Sequence, residues 1–239
     1  MSESGLPLKT ASEALQNLLK NGELFYLTNS EQADASSSEL SKAKTLVASR
    51  AGWANLLGQI KTTLADYHER LPLRLGMPRG ELKSRLKLET RLFNEAIQRG
   101  HAEQAITATE TSVRLPDHRV NFNPQQQAAI DKLLIDFRRN PYNTPLPKEV
   151  AARLGEEVIQ ALIEGEQLVR LSKDVMLLAE TYQGFLGWLK DYLHKHQTVN
   201  VAQVRDAFDT SRKYALALLE YTDEQRVTRR VGDERVLRE

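Results

Sequence analysis

Cysteine is absent from the 239-residue sequence, so disulfides and thiolate metal sites are excluded, and a reducing cytoplasm is compatible. Glycine and proline number only 12 and 8, too few for a disordered or collagen-like chain. No apolar run approaches the ~20 residues of a membrane span, and the N-terminus lacks a signal peptide's apolar segment. The sequence contains neither a G-x-x-x-x-G-K-[ST] phosphate loop nor a G-x-S-x-G elbow. The chain therefore reads as non-enzymatic and without a cofactor. Five histidines (68, 101, 118, 194 and 196) are the remaining candidates for metal or base roles. His194 and His196 are two apart and diverge on a helix, whereas a zinc-binding helix places histidines at i and i+4. They read as surface or helix-end residues.

A charge excess is also missing: the formal net charge is +1. The average hides a local patch. Residues 226–238 hold five arginines (226, 229, 230, 235 and 238) against Asp233 and Glu234, a net of +3. Local charge decides binding more than the sum over the chain does.

The C-terminal stretch explains why that patch matters. Residues 209–221, DTSRKYALALLEY, read as a helix that Thr210 can cap, with Ala215, Leu218 and Leu219 on its buried stripe. Residues 227–237 read as a hairpin turning at Gly232-Asp233, where glycine supplies the positive φ of a two-residue turn. Helix then hairpin is the second half of a winged helix. Arg212 and Lys213 fall in the first helical turn; Arg229, Arg230, Arg235 and Arg238 fall on or beside the hairpin. A helix N-terminus presents free N–H groups and partial positive charge, so Thr210, Ser211 and Arg212 are placed to hold a phosphate. Arg229 and Arg230 alternate faces on a strand, so one of them is expected to face a ligand squarely. Tyr214 either stacks on a base or packs against its own domain.

The chain also resembles itself. Leu19–Leu27 (LKNGELFYL) is similar to Leu162–Leu171 (LIEGEQLVRL), and Ile97–Gly100 is a shorter copy. Each is expected to end a helix at a glycine in the left-handed conformation and then enter a β-prone run. The glycines at 22, 100 and 165 are 78 and 65 residues apart, and Val227 follows 62 residues after the last. Leu46–Leu57 likewise matches Leu177–Trp188 in residue type. The expected fold is mainly α with small β wings, a tandem array of winged-helix modules. Its expected boundaries are 1–49 (a partial first module, polar and loop-like over 29–38), 50–121, 122–179 and 180–239. The missing front of the first module points to a fragment of a longer protein.

Other cations weigh less. Lys83, Arg85, Lys87, Arg91 and Arg99 alternate with Glu81, Glu89 and Glu95 and read as a solvated helical face. Arg138 and Arg139 sit at a helix C-terminus, where cations complement the dipole.

At its end the sequence resembles a family. TSRKYALALLEY followed by TRRVGDERVL is similar to the carboxyl end of SelB, the bacterial selenocysteine-specific elongation factor, over about a fifth of the chain. The resemblance implies a messenger-RNA-binding tail recognising the selenocysteine insertion stem-loop (SECIS) beside a UGA codon. It implies RNA contacts by Thr210, Ser211, Arg212, Lys213, Tyr214, Arg229, Arg230 and Arg235. It further implies a cytoplasmic monomer, with the ribosome as a partner of the full-length protein and a GTP-binding part carried elsewhere. Asp209 and Arg226 stand where relatives often have glycine, and Thr222 replaces a bulkier apolar residue. The alternative is a tandem winged-helix DNA-binding or protein-docking module of a transcription regulator.

Overall fold

The computed structural model describes residues 7–27 and 46–238, which form two compact units, residues 1–119 and 120–239. The polar 29–38 loop, and the ends of the first wing at 28 and 44–45, lie outside the described residues.

In the first unit, α1 (Leu8–Lys20) leads into a hairpin of β1 (Leu24–Tyr26) and β2 (Val47–Ser49), with Leu24 opposite Ser49. The Ser49 side chain then accepts from Gly52 N–H at 3.0 Å and starts α2 (Arg50–Arg70). Two short helices follow, α3 (Arg79–Leu86) and α4 (Thr90–Ala102). A three-stranded sheet closes the unit: β3 (Met77–Pro78), β4 (Thr107–Ala108) and β5 (Ser112–Arg114), in the order β3-β5-β4. Ile60, Leu64, Met77, Leu82, Phe93, Ile97 and Val113 fill its core. Pro78 is the residue before α3 and also belongs to β3.

The second unit repeats the plan. α5 (Pro124–Arg139) begins with a reciprocal Asn123–Gln126 capping box and is followed by α6 (Pro147–Leu154) and α7 (Glu156–Glu164). Gly155 separates the last two at φ 84°, a backbone that only glycine adopts without strain. β6 (Leu168–Arg170) and β7 (Met176–Leu178) pair across the 172–174 turn. Then come α8 (Ala179–His196), β8 (Val199–Asn200), α9 (Val201–Ala207), α10 (Arg212–Glu224), β9 (Thr228–Val231) and β10 (Glu234–Leu237). Asn200 and Gln203 form a reciprocal capping box at the start of α9, and the last sheet has the order β8-β10-β9. Its core gathers Tyr182, Phe185, Leu189, Leu193, Val199, Val204, Leu218 and Leu219 with Leu171, Val175 and Leu177 of the preceding hairpin.

One backbone device recurs four times. Glu23 N–H donates to Leu18 C=O, Ala105 to Gly100, Gln167 to Leu162 and Val227 to Thr222, all at 2.9–3.0 Å. This six-to-one bond is the Schellman ending of a helix, and it needs a left-handed residue just before its donor. Those residues are Gly22 (φ 70°), Gln104 (55°), Glu166 (56°) and Arg226 (59°). The repeat expected at glycines 22, 100 and 165 is therefore right in kind and misplaced in detail. Gly100 lies inside α4, where an added Cβ would meet Ile106 Cδ1 at 3.0 Å, and Gly165 has φ −83°. Three of the four turns thus carry a side chain in a conformation that costs L-residues about 1–2 kcal/mol. Arg226→Gly is expected to stabilise the second unit by about 0.5–1 kcal/mol, after the larger chain entropy of glycine is subtracted. Urea denaturation checks this; an unchanged or lower midpoint contradicts it.

Arg99 departs from the solvated reading. Its guanidinium donates to Tyr26 C=O at 3.0 Å, pairs with Glu103 at 2.7 Å and lies 4.1 Å from the Phe25 ring centre. It joins the first hairpin to α4. Arg85 pairs with Glu81 at 2.6 Å, an exposed i,i+4 pair as expected of a solvated face.

His68 and His118 stack in the first unit, ring centres 3.6 Å apart. His68 Nε2 accepts the Leu115 N–H at 3.3 Å, while His118 Nε2 donates to Arg74 C=O at 2.8 Å. Burial first, then the His118 and Arg114 charges, lowers the His68 pKa to about 4. An unfolded histidine titrates near 6.5, so between these values the unfolded chain binds the extra proton. The stabilisation is complete above about pH 6.5 and is lost as pH falls through 4. It amounts to on the order of 3 kcal/mol. Urea midpoints for the first unit should fall steeply over this window, and less so in His68→Gln; identical pH slopes for the two proteins contradict the assignment.

Candidate nucleic-acid interface

The last three helices and their hairpin place the predicted contact residues in two environments. The turn from α9 into α10 is Phe208-Asp209-Thr210-Ser211. Asp209 has φ 44°, so this position and Arg226 both keep the backbone that glycine adopts freely, without being glycine. Ser211, not Thr210, is the N-cap residue of α10, and its side chain makes no capping bond.

Thr210 is buried, its hydroxyl donating to Tyr142 C=O at 2.5 Å. Asn143 Nδ2 donates to the Asp209 carbonyl at 3.3 Å. Tyr214 is buried as well, its hydroxyl donating to Thr144 C=O. The expectation that the Thr210 side chain caps the helix or holds a phosphate is corrected, and of the two readings of Tyr214 the structure shows packing against its own domain in place of an exposed ring for a base. Both side chains anchor α10 to the 142–144 segment. The reason is a hydrogen-bonding one: buried hydroxyls need partners, and the carbonyls of that loop supply them.

Arg235 is the third correction. It is 2% exposed, and its Nε donates to Asp223 Oδ2 at 3.2 Å. The other Asp223 oxygen accepts from Thr228 Oγ1 at 2.6 Å, and the Thr222 hydroxyl stands 2.9 Å from Thr228 Oγ1. Thr222 therefore belongs to a buried polar network tying the end of α10 to both wing strands. Glu234 and Arg235 on β10 also pair with Asn200 and Val199 on β8, which makes β10 the central strand.

The remaining predicted residues face solvent. Ser211, Arg212 and Lys213 are exposed in the cap and first turn of α10, with Lys213 Nζ 4.7 Å from the Tyr214 ring centre. Arg229 and Arg230 are exposed on edge strand β9 and point to opposite faces. Arg230 donates to Gly232 C=O at 2.8 Å and approaches Asp233 at 3.4 Å, which folds it across the turn. Among the described residues, Arg212 and Arg229 have no hydrogen-bonding or ionic partner. α10 has 13 residues, a span of about 20 Å. Arg212 and Lys213 open α10, whereas Arg229 and Arg230 lie on β9, which follows its C-terminal end. Val231, half exposed at 49%, forms an apolar tip between them and the turn.

Among the described residues, no group of three or more His, Asp or Glu is placed to hold a metal ion, and no helix is long and apolar enough to cross a membrane.

A helix buttressed at its start, a twisted hairpin at its end and a third short strand define the class: the chain is a tandem array of winged-helix domains. More specifically, residues 61–115 and 191–237 match two family models, each described as "Elongation factor SelB, winged helix". The selenocysteine-specific elongation factor of Desulfomicrobium baculatum is 24% identical over 191 residues, covering 77% of this chain and 30% of that protein. That of Haemophilus influenzae is 25% identical over 189 residues, with 76% and 30% covered. The chain thus spans about 30% of the length of these relatives. The mRNA-binding domain of SelB from E. coli, solved in complex with SECIS RNA, is similar at 22% identity and TM-score 0.41, covering 49% of this chain and 100% of that one. A bacterial selenocysteine-specific elongation factor crystal structure matches at 17% identity and TM-score 0.42, covering 82% of this chain and 31% of that one.

Proposed function

We propose that this chain is the RNA-binding part of a selenocysteine-specific elongation factor and that its last module grips a SECIS stem-loop near a UGA codon. The carrying observation is that Arg212 and Lys213 on the first turn of α10, and Arg229 and Arg230 on β9, are exposed inside the segment that matches the SelB winged-helix model. Cations at these points fix affinity and register on the phosphate backbone. The A-form major groove is too narrow for a helix, so sequence is read at unpaired loop or bulge bases. Ser211, Arg212, Lys213, Arg229 and Arg230 make the contacts in this reading. Thr210, Tyr214 and Arg235 hold those elements in place.

The reading takes the modules as 1–49, 50–121, 122–179 and 180–239, the first of them partial. It makes the chain a monomeric, non-enzymatic part of a cytoplasmic translation factor. GTP hydrolysis and ribosome contacts belong to the full-length protein.

Binding of the full chain to a SECIS stem-loop and to duplex DNA of equal length, at two salt concentrations, tests this. The stem-loop should bind at least about tenfold tighter, a difference of roughly 1.4 kcal/mol, with affinity falling as salt rises. Equal or stronger DNA binding favours the transcription-regulator alternative, and binding to neither leaves a protein-docking role.

A further inference from the structure

α8 carries a file of rings that the contacts above do not use. Trp188, Tyr192 and His196 recur every fourth residue, so they share one face of the helix. Their ring centres are 4.9 Å (Trp188–Tyr192) and 4.4 Å (Tyr192–His196) apart. The file continues through Phe208, 4.8 Å from Trp188, to Tyr142, 4.5 Å from Phe208. It ends beside the turn that delivers Arg212 and Lys213. Trp188, Tyr192 and Phe208 are half-buried and His196 is exposed, so these rings border the core rather than fill it. Among the described residues, the Tyr192 hydroxyl has no partner.

Two glycines on the same helix have no packing reason to be glycine. Gly184 and Gly187 are exposed, and nothing lies within 4 Å of where their Cβ atoms would stand. A glycine inside a helix costs about 1 kcal/mol relative to alanine. Gly184 is the i−4 neighbour of Trp188, so any longer side chain there would stand against the indole. Glycine keeps that flank open. Lys195 lies three residues beyond Tyr192 on the exposed side, and Arg212 lies four beyond Phe208; Asp191, Asp206 and Asp209 are the acids close by in sequence, Asp206 being paired with Arg205.

From this arrangement we infer that the Trp188–Tyr192–His196 file is a stacking surface for an unpaired nucleotide next to the stem of the bound RNA. The file is one ring wide, which suits a base and not the broad apolar face of a protein helix. Flanking cations suit the phosphates on either side of such a base. Aromatic rings accept any base by stacking, and each stacked base is worth about 1–3 kcal/mol. The inference rests on the RNA-binding reading and adds a second contact that reads single strand.

The test compares a blunt SECIS stem-loop with the same stem-loop carrying a short unpaired oligoadenylate on its 5′ or 3′ end, using the full chain. One extension should raise affinity roughly tenfold, the low end of one stacked base. It should also quench fluorescence that is absent in Trp188→Phe. Gly184→Gln should remove both effects while leaving blunt stem-loop affinity unchanged and raising the unfolding temperature. Tyr192→Ala should reduce the gain in the same way. Equal affinities for blunt and extended RNAs, or a Gly184→Gln protein that keeps the gain, overturn the stacking surface. If the blunt stem-loop fails to bind, the proposed function fails first. Quenching of Trp188 by free oligoadenylate then decides the surface by itself, with no quenching counting against it.

Discussion

Arg235→Ala is expected to destabilise the second unit by about 3 kcal/mol, within the range for removing one partner of a buried ion pair. The Arg235 guanidinium is enclosed between wing and helix, 3.2 Å from Asp223. Truncation leaves the Asp223 carboxylate facing a cavity with only Thr228 to satisfy it, and it also removes the packing of the long arginine stem. Arg235→Met, which refills the volume without the charge, should lose less than alanine does. Asp223→Asn should also destabilise, because one amide oxygen cannot serve both Thr228 and Arg235 and the buried guanidinium loses its counter-charge. The chain has two tryptophans, Trp53 in the first unit and Trp188 in the second. Urea unfolding followed by Trp188 fluorescence in a Trp53→Phe background isolates the unit concerned. A loss below about 1 kcal/mol, typical of exposed pairs, would show that Arg235 behaves as a surface cation.

Removing the four exposed cations together should have the opposite profile. Arg212→Ala, Lys213→Ala, Arg229→Ala and Arg230→Ala combined are expected to weaken SECIS stem-loop binding at least about a hundredfold. They should reduce the slope of log affinity against log salt by roughly three, the value for four lost phosphate contacts. The unfolding temperature should barely move, because these side chains are exposed and make only surface contacts, Arg230 with Asp233 and Gly232 C=O and Lys213 with the Tyr214 ring. Split into halves, the α10 pair and the wing pair should each account for part of the slope. A quadruple variant that binds within about threefold of the parent would exclude this face as the RNA contact.

These two experiments separate residues that the sequence presents as alike. Seven cations at the C-terminus are equivalent on paper, yet Arg235 is buried while, among the described residues, the Arg212 and Arg229 side chains have no hydrogen-bonding or ionic partner. Nothing in the local pattern of 227–237 distinguishes Arg235 from Arg230, its cross-strand partner. The difference comes from Asp223 on the preceding helix and from β8, which turns β10 into the central strand. Thr210 and Tyr214 escaped for the same reason. Their partners at Tyr142 and Thr144 lie 68 and 70 residues earlier. The strands β3 and β8 escaped because two residues carry no alternation.

Local signals suffice where the bonding is local. Asn123-Pro124, Pro147, Gly155 and the Asn200/Gln203 pair mark helix ends through bonds that span four residues or fewer, and each marks the boundary found. Gly232 turns the last hairpin at φ 61° as the Gly-Asp pair requires. The four helix endings could be counted from self-similarity, but three of their left-handed residues are not glycine and gave no sign of it.

Order of elements, helix limits, the terminal hairpin and the local excess of arginine were thus determined by the sequence alone, since each depends on groups a turn or less apart. Which arginines remain free to meet a phosphate was decided only by the tertiary structure. Burial and ion pairing depend on what distant segments bring alongside, and no local pattern carries that information.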